Sequence, residues 1–290
     1  MISVIISSAK PKLLAATVKN IEQTVGLEFE ILAYENADGK KSICEIYNLG
    51  IENAQYDILC FMHEDLLIKT NNWGEHVLSV FKKHTKLGVL GVAGCAYKTY
   101  APSGWDVEGN EANVKCINYI QGNQNADVDG VHIYYNPGNK HLETVAAVDG
   151  MWLCTTKSIA KSHLFDEKTL TGFHGYDLDF CLNVGQNHQI AVTFDILMEH
   201  FSSGNFGRDW FSAILKLQEK WEYLLPVIEK PLTISQQNTF EKRAYKRNII
   251  NMLCFGYPKK EIFNYLLKFK KKGKISTALF LKLNYYLLTK

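Results

Sequence analysis

The sequence predicts an α/β fold with a mostly parallel sheet and helices on both faces. Two observations carry that expectation. Through the first hundred residues, short β-branched or apolar runs alternate with segments of helical periodicity, the order that builds βαβ units and hence a parallel sheet. The apolar runs also stop abruptly at polar or acidic residues, as strands do where a parallel sheet presents its carboxyl edge to a ligand.

The first run, ISVIIS at 2–7, stops at SAKPK and reads as a buried strand entering a loop. Residues 13–25 have helical spacing. FEILAY at 29–34 is a second strand, closed by the polar turn ENADGKK. Residues 42–53 are helical, with Ile43, Ile46, Tyr47 and Ile51 on one face. YDILCFM at 56–62 is a third strand, 73–84 a helix, and GVLGVAG at 88–94 a fourth strand. Residues 95–148 mix Gly, Asn and Asp clusters with short alternating stretches such as VHIYY and ETVAAV, which predicts loops and a small antiparallel patch. Regular order returns at 148–160 as a strand running into a helix. A helix at 177–186, a strand at 190–195 and a helix at 211–223 follow. Pro226 and Pro231 mark a boundary, so the expected units are residues 1–230 and a helical extension at 231–290.

Of the 290 residues, 47% are hydrophobic and 21% charged, the make-up of an ordinary globular protein. The net charge of +2 conceals an asymmetry. After residue 240 there are 13 Lys and Arg against two acids, a balance of +11, which leaves 19 against 28, or −9, for everything before it. An acidic body and a basic tail are expected to meet different partners. The seven cysteines form no C-x-x-C pair and mostly sit in apolar runs, as in a reducing compartment. The N-terminus lacks the pattern of a signal peptide, and no window offers about twenty uninterrupted apolar residues. A cytoplasmic location is therefore expected.

The most informative stretch is QYDILCFMHEDLLIK at 55–69, where a buried strand runs straight into His63, Glu64 and Asp65. Neighbouring carboxylates at a strand end repel unless a cation lies between them, and oxygen ligands of this kind suit Mg²⁺ or Mn²⁺ with a phosphate completing the shell. A strand that merely ends in charged residues would look the same. The pattern also fits nucleotidyltransferases and receiver domains. A second acidic pair, Asp177 and Asp179 in GYDLD, falls at a helix start, where a carboxylate can cap exposed N–H groups.

Four stretches occur in order: FMHED, VDGMWL at 148–153, FDEKTLTGFHGYDLDFCL at 165–182 and MEHFSSGNF at 198–206. Together they resemble family 2 glycosyltransferases of the GT-A fold, in particular a bacterial glycosyltransferase-like branch, over about residues 2–225. The resemblance implies a metal-dependent transfer, with inversion, of a hexosyl or N-acetylhexosaminyl group from a nucleotide-sugar, a UDP-sugar above others. The acceptor would be a glycan or lipid-linked glycan in bacterial polysaccharide biosynthesis. Carried onto this chain, Asp65 and His200 are the expected ligands of Mn²⁺ or Mg²⁺, and Asp177 is the general base. Ser7, Glu35, Asn36, His63, Glu64 and Asp149 are expected at the donor nucleotide and sugar, with Trp152 and Asp179 at the acceptor. His63 departs from the family's DXD pattern, in which an aspartate stands first. That departure keeps open a catalytically inactive, sugar-nucleotide- or glycan-binding protein on the same fold. Trp105, in PSGWD, lies in a loop where its ring would face sugar. A nucleotidyltransferase would carry a Gly-rich phosphate loop after strand one, and SSAKPK is not one.

The tail, with PKKEIFNYLLKFKKKGK and ISTALFLKLNYYLLTK, mixes Lys with Leu, Phe and Tyr. It reads as a basic amphipathic element suited to peripheral contact with an anionic membrane at the inner face, or as a helical hairpin packed on the body. No motif points to nucleic acid.

Overall fold

A computed structural model of the chain describes residues 1–109, 113–123, 129–202 and 204–290. The N-terminal half follows the predicted alternation: β1 (Ile2–Ser8), α1 (Pro11–Thr24), β2 (Phe29–Glu35), α2 (Ile43–Asn53), β3 (Ile58–Met62), β4 (Leu66–Ile68), α3 (Trp73–Lys83) and β5 (Leu87–Gly91). Helix α1 opens with Pro11, whose fixed φ and missing N–H suit a first helical position. Helix α2 opens with a capping box, in which Ser42 Oγ accepts from the Glu45 N–H and the Glu45 carboxylate accepts from the Ser42 N–H.

The chain continues as β6 (Ala93–Cys95), β7 (Tyr97–Lys98), β8 (Lys115–Gln121), β9 (Val131–Tyr135), β10 (Leu142–Thr144), β11 (Ala147–Val148), β12 (Trp152–Thr156), α4 (Lys157–Ser162), α5 (Tyr176–Val184), β13 (Gln189–Thr193), β14 (Met198–His200), α6 (Arg208–Lys220) and β15 (Val227–Ile228). The main sheet has the order β10-β13-β5-β12-β3-β1-β2. Its β2-β1-β3 and β5-β13 pairings are parallel, while β12 and β10 run antiparallel. Both faces are covered, and the strands show it by alternation. Ile2, Val4 and Ile6 of β1 point into the core under α1 and α3, while Ile5 points into the core shared with α2, α5 and α6.

A second sheet, β11-β6-β8-β14-β4 with β9 paired to β8, stands beside the carboxyl edge of the first. The strand expected at 88–94 serves both sheets: it leaves the first at Gly91 and enters the second at Ala93. A Cβ on Gly91 would come within 2.7 Å of the Val148 side chain, so the crossing needs glycine. The antiparallel patch expected within 95–148 is real but larger than anticipated, because β8, reading KCINYIQ, breaks strict alternation. Residues 110–112 and 124–128 of that region lie outside the described residues.

The extension consists of α7 (Ile234–Cys254), α8 (Lys259–Lys271) and α9 (Thr277–Leu288). Its apolar side chains, among them Tyr245, Ile249, Leu266, Phe269 and Leu283, are continuous with the core of the body. Glu241 of α7 accepts from the Tyr97 hydroxyl and from the N–H groups of Tyr100 and Ala101. Arg247 forms a two-toothed pair with Glu108, and Lys268 and Lys272 pair with Glu219 and Glu222. The charge asymmetry of the sequence thus has a partly internal outlet: basic tail on acidic body. No helix of the described residues is long and apolar enough to cross a membrane.

Candidate active site

Register brings the carboxyl ends of β1, β2 and β3 to one level: Ile6 pairs with Met62, and Ser7 and Ser8 pair with Tyr34 and Glu35. At that level β3 gives way to His63, Glu64 and Asp65. The following β4 pairs with β14, with His200 opposite Leu66, and so delivers a second imidazole to Asp65. Ligand atoms of His63, Asp65 and His200 lie within 4.8 Å of one another. His200 Nε2 is 3.5 Å, and His63 Nδ1 4.0 Å, from Asp65 Oδ1. Those distances are too long for good hydrogen bonds, and Oδ1 is a buried carboxylate oxygen with no hydrogen-bond partner among the described residues. His200 Nε2 instead meets Ser202 Oγ at 3.0 Å. Ser203, also in the MEHFSSGNF stretch, lies outside the described residues.

Burial disfavours the charged form of each group, and the outcomes differ. Burial lowers the pKa of His63 despite the nearby Asp65, which leaves a neutral imidazole with a lone pair. Burial raises Asp65, but His200 and His63 outweigh it and bring it down to about 2, so it is a carboxylate. Two imidazoles and a carboxylate with an unsatisfied oxygen form a donor set that fits a divalent cation.

Beside this cluster, α5 starts at Gly175, which has φ +83°, and puts Tyr176 and Asp177 in its first turn. The Gly150 N–H donates to Asp177 Oδ2 at 3.0 Å, and the Tyr176 hydroxyl donates to the Gly150 carbonyl at 2.9 Å. Burial, then the neighbouring Asp149, push Asp177 up to about 7. Asp149 accepts from Trp105 Nε1 at 2.6 Å and from the Met151 N–H at 2.7 Å. Trp105 thereby stands beside the site, half-buried. Phe173, 51% exposed, has its ring 5.4 Å from that of His63.

The structure brings His63, Asp65, His200, Asp149 and Asp177 into one neighbourhood. Ser7, Glu35 and Asn36 lie on the same sheet edge, where Asn36 closes the turn to Lys41 with both side-chain atoms. Three expectations need correction. Glu64 is not aimed at the donor: its oxygens accept from Ser8 Oγ at 2.5 Å and from the N–H groups of Ala9 and Lys10, which fastens the β1–α1 loop to β3. Trp152 is fully buried against Trp73, 6.1 Å away in a T-shaped pair, so its ring cannot stack on an acceptor. Asp179 is 1% exposed and bound by Trp221 Nε1 at 2.7 Å and Lys220 at 2.8 Å, so it anchors α6 to α5 rather than reaching the acceptor. In the other direction, His63, expected at the donor, joins the candidate ligands. Tyr176 was missed, although it stands directly before Asp177 in GYDLD.

The family described as "Glycosyltransferase like family" matches residues 1–248. The chain belongs to that glycosyltransferase family. Its fold is similar to that of residues 1–349 of TarS from S. aureus in complex with UDP, with a TM-score of 0.57 and 11% identity, covering 98% of this chain and 86% of that one. It is also similar to GalNAc-T7 solved with UDP, GalNAc and Mn²⁺, with a TM-score of 0.51 and 11% identity, covering 89% of this chain and 58% of that one. The chain thus spans little more than half of the GalNAc-T7 chain. The likeness fixes the fold of this glycosyltransferase family member as GT-A. No protein of curated function matches it in sequence.

Proposed function

We propose that the protein is a metal-dependent glycosyltransferase that moves a hexosyl or N-acetylhexosaminyl group from a UDP-sugar to a glycan or lipid-linked glycan, with inversion. One observation carries the reading: the orphaned, buried Asp65 oxygen lies between two imidazoles at the sheet edge of a glycosyltransferase family member. The nucleotide and the metal find support in the UDP of the TarS structure and the UDP and Mn²⁺ of the GalNAc-T7 structure. A His₂Asp donor set suits Mn²⁺ better than Mg²⁺, which favours all-oxygen shells.

A divalent cation at His63, Asp65 and His200 supplies positive charge for the leaving diphosphate. The chain's own groups do the rest. Ser7, Glu35 and Asn36 offer polar atoms to the nucleoside along the sheet edge. Asp149, fixed by Trp105, faces the donor sugar. Asp177 takes the proton of the acceptor hydroxyl as its oxygen bonds to the anomeric carbon and the bond from that carbon to the diphosphate breaks. A carboxylate with pKa about 7 suits that task, because it is ionised yet still basic near neutrality. The Gly150 N–H holds Oδ2 and so orients the carboxylate.

Turnover of UDP-sugars, read as released UDP, tests the reading. Activity with Mn²⁺ should vanish on chelation and in Asp65→Ala. Undiminished turnover in chelated enzyme would overturn the metal's role.

The division at residue 230 assigns catalysis to 1–230 and surface contact to 231–290, in a bacterial, cytoplasmic setting at the inner membrane face. Support comes from α9, where Leu281, Tyr285 and Leu288 form an exposed apolar row, 63–73% accessible, beside Lys282 and Lys290. Co-sedimentation with vesicles containing phosphatidylglycerol should be lost when all three apolar residues become Ser; equal binding would remove the membrane from the account. Point changes are preferred to deleting the tail, which shares the core.

A further inference from the structure

The hydrogen bonds that run from His63 to Asp177 carry an inference that rests on the proposed metal centre and goes beyond it. A tyrosine hydroxyl has one proton to give. Tyr176 gives it to the Gly150 carbonyl at 2.9 Å, and that carbonyl receives no other hydrogen bond among the described residues. The same hydroxyl oxygen is 2.8 Å from His63 Nε2. Its proton is already committed, so Nε2 must be the donor in that contact. A neutral imidazole carries one N–H, so Nδ1 is left with the lone pair. The opposite assignment fails twice. It would strip the buried Gly150 carbonyl of its partner, and it would aim an Nδ1–H at Asp65 Oδ1 across 4.0 Å, too far to bond.

We propose that Tyr176 is a positioning residue that fixes the tautomer of His63 with Nδ1 bare toward Asp65 and His200, and that Gly150 ties this arrangement to Asp177. The link is continuous: His63 Nε2–H to the Tyr176 oxygen, the Tyr176 hydroxyl to the Gly150 carbonyl, and the Gly150 N–H to Asp177 Oδ2. Position 150 must be glycine for this to close. An added Cβ would come within 2.3 Å of the Tyr176 hydroxyl and 2.9 Å of the Asp177 Cβ. A ligating imidazole whose other nitrogen is held by a hydrogen bond binds metal more tightly, and loss of such a partner costs ~10- to 100-fold in affinity.

Tyr176→Phe deletes the hydroxyl and keeps the ring, which packs edge-on against Tyr47 at 5.4 Å, so the fold should persist. Nitrogen NMR of metal-free, ¹⁵N-histidine-labelled full-length protein at pH 8 should show His63 protonated at Nε2 and bare at Nδ1. In Tyr176→Phe, the protected Nε2–H signal should disappear. Titration with Mn²⁺, followed by loss of the free-ion EPR signal, should give a Kd raised ~10- to 100-fold in the variant. A wild-type His63 protonated at Nδ1, or equal Mn²⁺ affinity in the two proteins, would overturn the role given to Tyr176. A wild type that binds no Mn²⁺ would overturn the metal centre instead, while the tautomer of the metal-free protein still decides this inference.

Discussion

The tip of β3 and the first turn of α5 each carry a pair of acids, and the protein treats the two members of each pair in opposite ways. At β3, Glu64 is saturated by one hydroxyl and two backbone N–H groups, while Asp65 keeps a buried oxygen without a partner. At α5, Asp179 is satisfied by Lys220 and Trp221, while Asp177 receives the Gly150 N–H and faces another carboxylate. In both places one acid holds the fold together and its neighbour stands at the candidate site. The two neighbours then diverge. Imidazoles hold Asp65 at about 2, and burial with Asp149 lifts Asp177 to about 7. Environments that push like groups apart assign them different work: one a permanent anion for a cation, the other a base near neutrality.

The largest expected effect separates the two acids of α5. Asp177→Asn should lower transfer by ~10²- to 10⁴-fold, the usual worth of a general base. Asp179→Asn should leave transfer nearly intact and lower stability by about 1–3 kcal/mol, because Lys220 loses a buried partner. Released UDP and thermal unfolding of both variants check the pair. If Asp179→Asn proved the inactive one, the assignment of roles would be reversed.

Much of this was legible in the sequence, and the exceptions share a cause. The first three strands and their helices announce themselves because each carries one clear period, and the acids at their ends mark the cleft. Asp65, Asp149, Asp177 and His200 could be pointed out from motif order. Glu64 could not be told from Asp65, because its partners, Ser8 to Lys10, lie over fifty residues back in the chain. Asp179 and Lys220 are likewise 41 residues apart. Trp152 reads in the sequence as available for sugar because an aromatic residue at a strand's start looks the same whether it faces a ligand or, as here, Trp73. Strand β8 escaped notice because both its faces are partly covered and its polar residues, such as Asn118, are satisfied by distant carbonyls at 194 and 196.

A smaller effect sharpens the contrast by its sign. The Asp177 pKa is about 4 in the unfolded chain and about 7 in the folded one. Below pH 4 the group is protonated in both states and adds nothing. Between 4 and 7 the folded state holds a proton the unfolded state has released, so stability falls as pH rises. Above 7 the whole penalty is present. Three units set a ceiling of about 4 kcal/mol, and solvent reaching this half-buried carboxyl reduces it to about 1–2 kcal/mol. Asp177→Asn has no such penalty. In metal-free protein, its stability relative to wild type should therefore climb by that amount between pH 4.5 and pH 8, about 2–6 °C in Tm. Taking the difference between the two proteins cancels the titration of every group that does not interact with Asp177, and leaves Asp177 together with its neighbour Asp149. A difference that stays flat, or one favouring wild type at pH 8, would mean that the carboxyl is stabilised in its ionised form and cannot be the elevated base on which the contrast with Asp65 rests.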